Sequence, residues 1–354
     1  MGLSKSPGSG VSVAIARSLA AAAVAVVLGA PNVAQPQSGG RARVLIVSGV
    51  AGEPQYADAF HKQATSMMDA LKTRFGVPDS DIVYLAETPT RDAARIKGAS
   101  TKENIERELA ALGARSTGGD VLFVMLIGHG SGDDAAPKFN VPGPDIGASD
   151  FARVLDEVHG PVVAFVNAAS ASGGFITTLS GPNRVIATAT KTGMEKNQTR
   201  FASYFVQAYA ADVADADKDG RVSVLEAFDY ARREVVRAYE SENHLLTEHA
   251  QLDDNGDRKG TAAPDAKTSD GGLARRVFLG GTAGSVAAVA RAASSDPRVA
   301  TLEREKDSIE TRIDALRRQK AGMDSTAYQK SLEALLIQLA EKNKAIRDAA
   351  GGRP

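Results

Sequence analysis

Five short apolar runs punctuate the chain: "RVLIVSGV" (43–50), "DIVYLAE" (81–87), "VLFVMLIGHG" (121–130), "PVVAFVNA" (161–168) and "NRVIATAT" (183–190). Runs of that length, rich in Val and Ile and bounded by Gly, Asn or Asp, predict strands buried on both faces. The intervening stretches switch to helical spacing. In "YADAFHKQATSMMDALKTRFG" (56–76) the apolar residues Phe60, Met67, Leu71 and Phe75 share one face, and Gly76 is a stop. Ser100 stands three residues ahead of Glu103, the spacing of a capping box, so a helix is expected there. Further helices are expected over 149–158 and 200–213. Strand and helix in alternation predict an α/β fold with a mostly parallel sheet between helices, and such sheets bind ligands at the carboxyl ends of their strands.

The pattern changes near the C-terminus. Val299, Leu302, Ile309, Ile313 and Leu316 keep three–four spacing, and so do Tyr328, Leu332, Leu335, Leu339 and Ile346. Gly322, Asp324 and Ser325 between them supply a stop and a new cap. Residues 297–350 therefore read as an antiparallel helical hairpin, or as a coiled coil through which the chain meets a partner or itself. Residues 241–296 read as an irregular extension and linker. At the other end, Lys5 and Arg17 precede the small apolar run "SLAAAAVAVVLGA" (18–30). Residues 1–34 are expected to be a signal peptide, with 35–42 a linker, which places the mature chain in the periplasm or outside the cell. An uncleaved membrane anchor is the other reading of the same run.

Composition narrows the chemistry. A net charge of −1 gives no general attraction to nucleic acid. There is no cysteine, which removes disulfides, thiolate metal sites and a thiol nucleophile together.

"DADKDGRVSVLE" (215–226) is the sharpest local motif. Asp215, Asp217 and Asp219 fall at positions 1, 3 and 5 of an EF-hand loop, with Gly220 at the tight turn of position 6. Arg221 offers its carbonyl at 7, Ser223 stands at 9, and Glu226 at 12 can supply both carboxylate oxygens. Ca2+ is the expected cofactor. An acidic turn capping the next helix is the alternative. "DDNGDRKG" (253–260) has similar alternation, but Arg258 replaces the glycine and no Glu follows, so it reads as a polar turn.

Two strands end in reactive side chains. His129 follows 121–127, and Ser170 follows "VVAFVNAA". With the motifs "LIGHGSG" and "NAASASGGF" and the order of strands and helices, residues 43–239 resemble the caspase/legumain-like cysteine peptidases, on the legumain-type (C13) side. The resemblance implies a six-stranded, mainly parallel sheet and endopeptidase chemistry. It places His129 at the catalytic histidine, Gly130 at an oxyanion N–H, and Ser170 (or Ala169, if the strand end is aligned) where the family has its cysteine. His61, Lys191 and Glu195, with Asn197, would line the substrate groove. The family's basic residue beside His61 is Phe60 here, and its acidic residue before the nucleophile falls on Ala168 or Asn167, so an asparagine-directed pocket is not expected.

A thiol is partly ionised at neutral pH, whereas a serine hydroxyl needs a closely bonded base that a carboxylate orients. The expected function is thus a pseudopeptidase that binds a peptide or protein ligand in the groove. The alternative is an active endopeptidase using Ser170 with His129, oriented by Asp120 or Asp133. A structural α/β domain without a groove ligand is the third reading.

Overall fold

The computed structural model describes residues 40–211, 213–216, 221–264, 270–280, scattered positions between 298 and 316, and 324–349. The expected signal peptide, Asp217, Asp219 and Gly220, and much of the linker lie outside the described residues. The three most apolar runs form β1 (Ala42–Ser48), β4 (Val121–Ile127) and β8 (Val162–Asn167), and every residue in them is buried. Around them lie β2 (Ile82–Ala86), β3 (Gly98–Ala99), β9 (Arg184–Thr188) and β10 (Gln251–Asp253). The sheet runs β10-β9-β8-β4-β1-β2-β3, parallel throughout except for β10 against β9.

That is a seven-stranded sheet where six strands were expected. The added members are edges: β3 is two residues long, and β10 comes from the segment read as irregular extension. Neither has a run long enough to be seen as a strand. Register supplies the missing signal, Leu252 pairing with Ala187 on one side and with Thr261 on the other.

Because successive strand residues point to opposite faces, each continuous run feeds two cores. Val44, Ile46, Phe123, Met125 and Ile127 pack with helices α1 (Pro54–Thr73), α5 (Phe201–Ala210) and α6 (Val224–Ser241). Leu45, Val47, Leu122, Val124 and Leu126 pack with α2 (Lys102–Ala114), α3 (Ala148–Asp156) and α4 (Phe175–Leu179). Burying an aliphatic or aromatic side chain fully contributes about 1.5–3 kcal/mol, so these two layers dominate the stability. The cap of α2 is Thr101 rather than Ser100: its hydroxyl accepts from Asn104 N, while Ser100 is buried and its N donates to Ala86 O at 2.9 Å. The sheet captured the residue that helix spacing had assigned to the cap.

A small three-stranded sheet, β5 (Gly130–Ser131), β6 (Lys138–Phe139) and β7 (Ile146–Gly147), lies in the chain between β4 and α3. The C-terminal helix α7 (Ser325–Ala349) packs its Leu335 against Ile309 and Ile313, with Leu316, Leu332 and Leu339 alongside. Lys342 meets Glu305 at 2.5 Å and Arg312 meets Gln338 at 3.4 Å, so the pairing runs antiparallel. Among the described residues no helix is long and apolar enough to cross a membrane.

Candidate functional site

β4 and β8 are neighbours, with Leu126 opposite Asn167, so the turns that follow them meet at the carboxyl edge of the sheet. His129 and Ser170 stand on those two turns. Gly49 N donates to Ile127 O (3.0 Å), and Asn140 N donates to His129 O (3.0 Å), which fixes the histidine backbone between β1 and the small sheet. The imidazole is half-buried, edge-on to Tyr56 (5.3 Å between centroids) and Phe60 (5.4 Å) of α1. Phe60, read from its spacing as a core residue, thus also packs on the candidate catalytic ring.

Ser170 is only 2% exposed. Its Oγ accepts from Gly130 N at 3.3 Å, and no hydrogen bond joins it to His129. The two turns touch so closely that a Cβ on Gly130 would lie 2.2 Å from Ser170 O, which only glycine permits. Ala171, the next residue, has φ +51°, in the left-handed region that costs a non-glycine residue about 1–2 kcal/mol. Its N–H is held by Glu195 O at 2.8 Å.

Two threonines hold the turn in place. Thr190 Oγ1 accepts from Ser172 N (2.7 Å) and Gly173 N (3.1 Å), and Thr190 N donates to Ser172 Oγ (3.2 Å). Thr199 Oγ1 donates to Ala168 O (2.6 Å). Neither threonine was singled out from sequence; the only signal was the density of hydroxyls over 183–199.

The groove candidates are placed as follows. His61 lies on α1, Nδ1 3.4 Å from the Tyr84 hydroxyl and Nε2 3.6 Å from Asp92. Burial, then the Arg91 guanidinium, hold His61 below its ordinary value against the pull of Asp92, so the imidazole is neutral at pH 7. The Tyr84 hydroxyl, pushed up by burial, meets Ser48 Oγ at 3.0 Å at the end of β1. Lys191 is exposed, and its N donates to Glu195 Oε2 at 2.9 Å. Glu195 also meets His249 Nδ1 at 2.6 Å and His249 N at 3.1 Å. Its carboxylate therefore clasps the 191–199 and 244–250 segments together.

Neither carboxylate named as an orienting group reaches His129. Asp120 sits at the opposite end of β4, where it accepts from Arg41 N, Thr117 N and Arg43 Nη1. Asp133 Oδ1 accepts from Ala135 N and Ala136 N within its own loop. A serine mechanism needs a base bonded to the hydroxyl and a carboxylate behind the base. Neither bond is present.

In the 215–226 segment, Asp215, Arg221, Ser223 and Glu226 are described. Ser223 caps α6 in a closed capping box: its Oγ accepts from Glu226 N (3.2 Å), while Glu226 Oε2 accepts from Ser223 N (2.9 Å). Glu226 Oε1 reaches back to Ala216 N at 2.9 Å, so the carboxylate at position 12 faces the backbone of position 2. The Arg221 guanidinium lies 3.8 Å from the Phe278 ring centroid, and Val224 N donates to Val277 O, pinning the loop exit to the 273–280 segment. Among the described residues no three acidic or imidazole groups gather around one point.

No protein-family model and no curated protein sequence matches the chain. Among solved structures it is similar to protein GSU0716 from Geobacter sulfurreducens, at 9% identity and TM-score 0.43, over 68% of this chain and 98% of that one. It is also similar to drICE (12%, 0.35, 58% and 87%) and to the Drosophila initiator caspase Dronc (11%, 0.39, 67% and 87%). With TM-scores below 0.5, the fold rests on the strand order and the two core layers described above.

Proposed function

We propose that this chain is a caspase-like, legumain-related domain that binds a peptide or protein segment along the carboxyl edge of its sheet without cleaving it. The observation that carries this reading is the disposition of Ser170: the chain has no cysteine, and the hydroxyl in its place is buried and bonded to Gly130 N rather than to His129. A retained donor turn without an activated nucleophile can still hold a carbonyl, because backbone N–H groups recognise the ground state as well as an oxyanion. His129, on Tyr56 and Phe60, then serves as an aromatic wall.

In the same reading the chain is exported through residues 1–34, Ca2+ occupies the 215–226 loop, and the C-terminal helices serve association. The described donors fit the ion: the set is oxygen-only, and Glu226 already turns toward the loop's first residues. Bound calcium would draw the loop ends together; Glu226 and Ser223 would hold it while still starting α6.

The test is a peptide-library assay on the mature protein in calcium and in chelator, with Ser170→Ala and His129→Ala beside it. Saturable peptide binding without hydrolysis is expected. Hydrolysis lost in both variants overturns the reading in favour of a serine peptidase. Neither binding nor hydrolysis from a folded protein leaves a structural α/β domain.

A further inference from the structure

A cavity of about 120 Å3 lies at the carboxyl end of β9, between that strand, α5 and α6. Its floor is apolar and buried, made by Ala189, Phe201, Val235 and Ala250. Its rim is open: Ala262 and His249 are exposed and Arg232 is partly exposed. The volume decides what fits. Sites for whole cofactors run to roughly 300–1,000 Å3, whereas a cavity of about 150 Å3 already holds a benzene-sized apolar group. This one takes a group the size of a single leucine side chain.

Three ionisable side chains line the cavity, and two are engaged. Glu248 accepts from Arg200 N with both oxygens (2.9 and 3.0 Å) and from Phe201 N (3.2 Å), so the positive end of α5 answers its charge. His249 Nδ1 meets Glu195 Oε1 at 2.6 Å. Arg232 differs. Its Nη2 lies 3.5 Å from Asp229 Oδ1, beyond the usual hydrogen-bond range, and its Nε is buried with no hydrogen-bond partner. The Nε and Nη2 edge of a guanidinium is a fork whose natural partner is a carboxylate.

We infer that this cavity recognises a branched aliphatic group joined to a carboxylate, the aliphatic part on Ala189, Phe201 and Val235 and the carboxylate on Arg232. The carboxyl-terminal leucine, isoleucine or valine of a peptide has that chemistry, and so does a free short branched-chain acid. The peptide source rests on the reading proposed above, and the chemistry of the cavity does not. Glu195 connects the two places: its carboxylate holds His249 at the rim, and its carbonyl accepts from Ala171 N (2.8 Å) beside Ser170. A chain end seated in the cavity therefore lies one segment away from the Ser170 turn.

The test is a methyl-NMR titration of the full chain, following the methyls of Val235, Val236 and Leu246. The probes are N-acetyl-leucine, N-acetyl-leucinamide, 4-methylpentanoate, and one peptide ending in leucine with its terminus free or amidated. N-acetyl-leucine should shift these methyls saturably, and its amide should bind at least about tenfold more weakly, as expected for losing a charge-assisted hydrogen bond. Arg232→Gln should erase that difference, and Ala262→Phe, placed at the exposed rim, should block every probe. Tighter binding of the free-ended peptide than of N-acetyl-leucine assigns the chain end; tightest binding of 4-methylpentanoate assigns the free acid. Methyls unmoved by every probe in the folded wild type, or acid and amide bound equally, overturn the inference. Peptide binding that leaves these methyls unmoved sinks the inference alone, whereas 4-methylpentanoate in the cavity with no peptide bound sinks the peptide reading and keeps the cavity. Should Arg232→Gln fail to fold, the acid and amide comparison on the wild type decides.

Discussion

Where the parallel strands begin, Asp120 gathers Arg41 N, Thr117 N, the Thr117 hydroxyl and, at 2.6 Å, the Arg43 guanidinium. Where they end, the Ser170 hydroxyl has a single 3.3 Å donor, the His129 imidazole packs on Tyr56 and Phe60, and Ala171 is in a left-handed conformation. Both edges present polar side chains from the turns that flank β4 and its neighbours. The first answers both oxygens of Asp120, though Arg43 Nε is left without a hydrogen bond, and serves stability. The second leaves polar atoms under-used and backbone strained, the state in which recognition sites are held by their surroundings.

The largest expected effect breaks the edge at which the strands begin. Asp120→Ala strands Arg43, which is 7% exposed, and losing one partner of a buried pair costs about 3–5 kcal/mol. Urea denaturation at pH 7 should show that loss. Burial opposes ionisation of Asp120, but the Thr117 and Arg41 N–H groups and then Arg43 outweigh it and lower its pKa. Its contribution is therefore complete above the unfolded aspartate value of about 3.9 and disappears as pH falls through the lower folded value. The gap between wild type and Asp120→Ala should narrow toward pH 2; a gap indifferent to pH would show that the charge is not what matters.

A smaller effect is expected at the carboxyl edge. Thr190→Val keeps the shape but removes the acceptor shared by Ser172 N and Gly173 N, and leaving buried donors unsatisfied costs about 1–3 kcal/mol. Amide exchange should quicken at Ser172 and Gly173 while the Asp120 turn stays protected. Uniform exchange in both places would erase the distinction between the edges.

The smallest change should be favourable. Ala171→Gly relieves the left-handed conformation and is expected to raise stability by up to about 1 kcal/mol, once glycine's entropy in the unfolded chain is set against the relief. A lower melting temperature would mean that the turn carries no strain.

Much of this architecture is legible in the residues. The runs at 43–50, 121–130 and 161–168 announce central strands because a strand covered on both faces must be apolar at every position. The placing of His129 and Ser170 on adjacent turns follows from strand order, which the motif pair anticipated. The shift of the α2 cap from Ser100 to Thr101, the edge strand at 251–253 and the Glu195–His249 clasp were not visible, since each depends on a partner far along the chain.

The chain's own pattern determined what is periodic or excluded: the buried strands, the amphipathic helices, and the lack of any thiol chemistry. Only the tertiary structure decided which polar side chains meet. Glu195 as a clasp, Asp120 as an anchor at the far end of its strand, and Arg232 with a nitrogen left over are outcomes of register and packing. Hydrophobic burial follows from local composition, which a sequence carries openly. A hydrogen bond requires two groups to arrive within about 3 Å, and that is settled only when the strands and loops have taken their places.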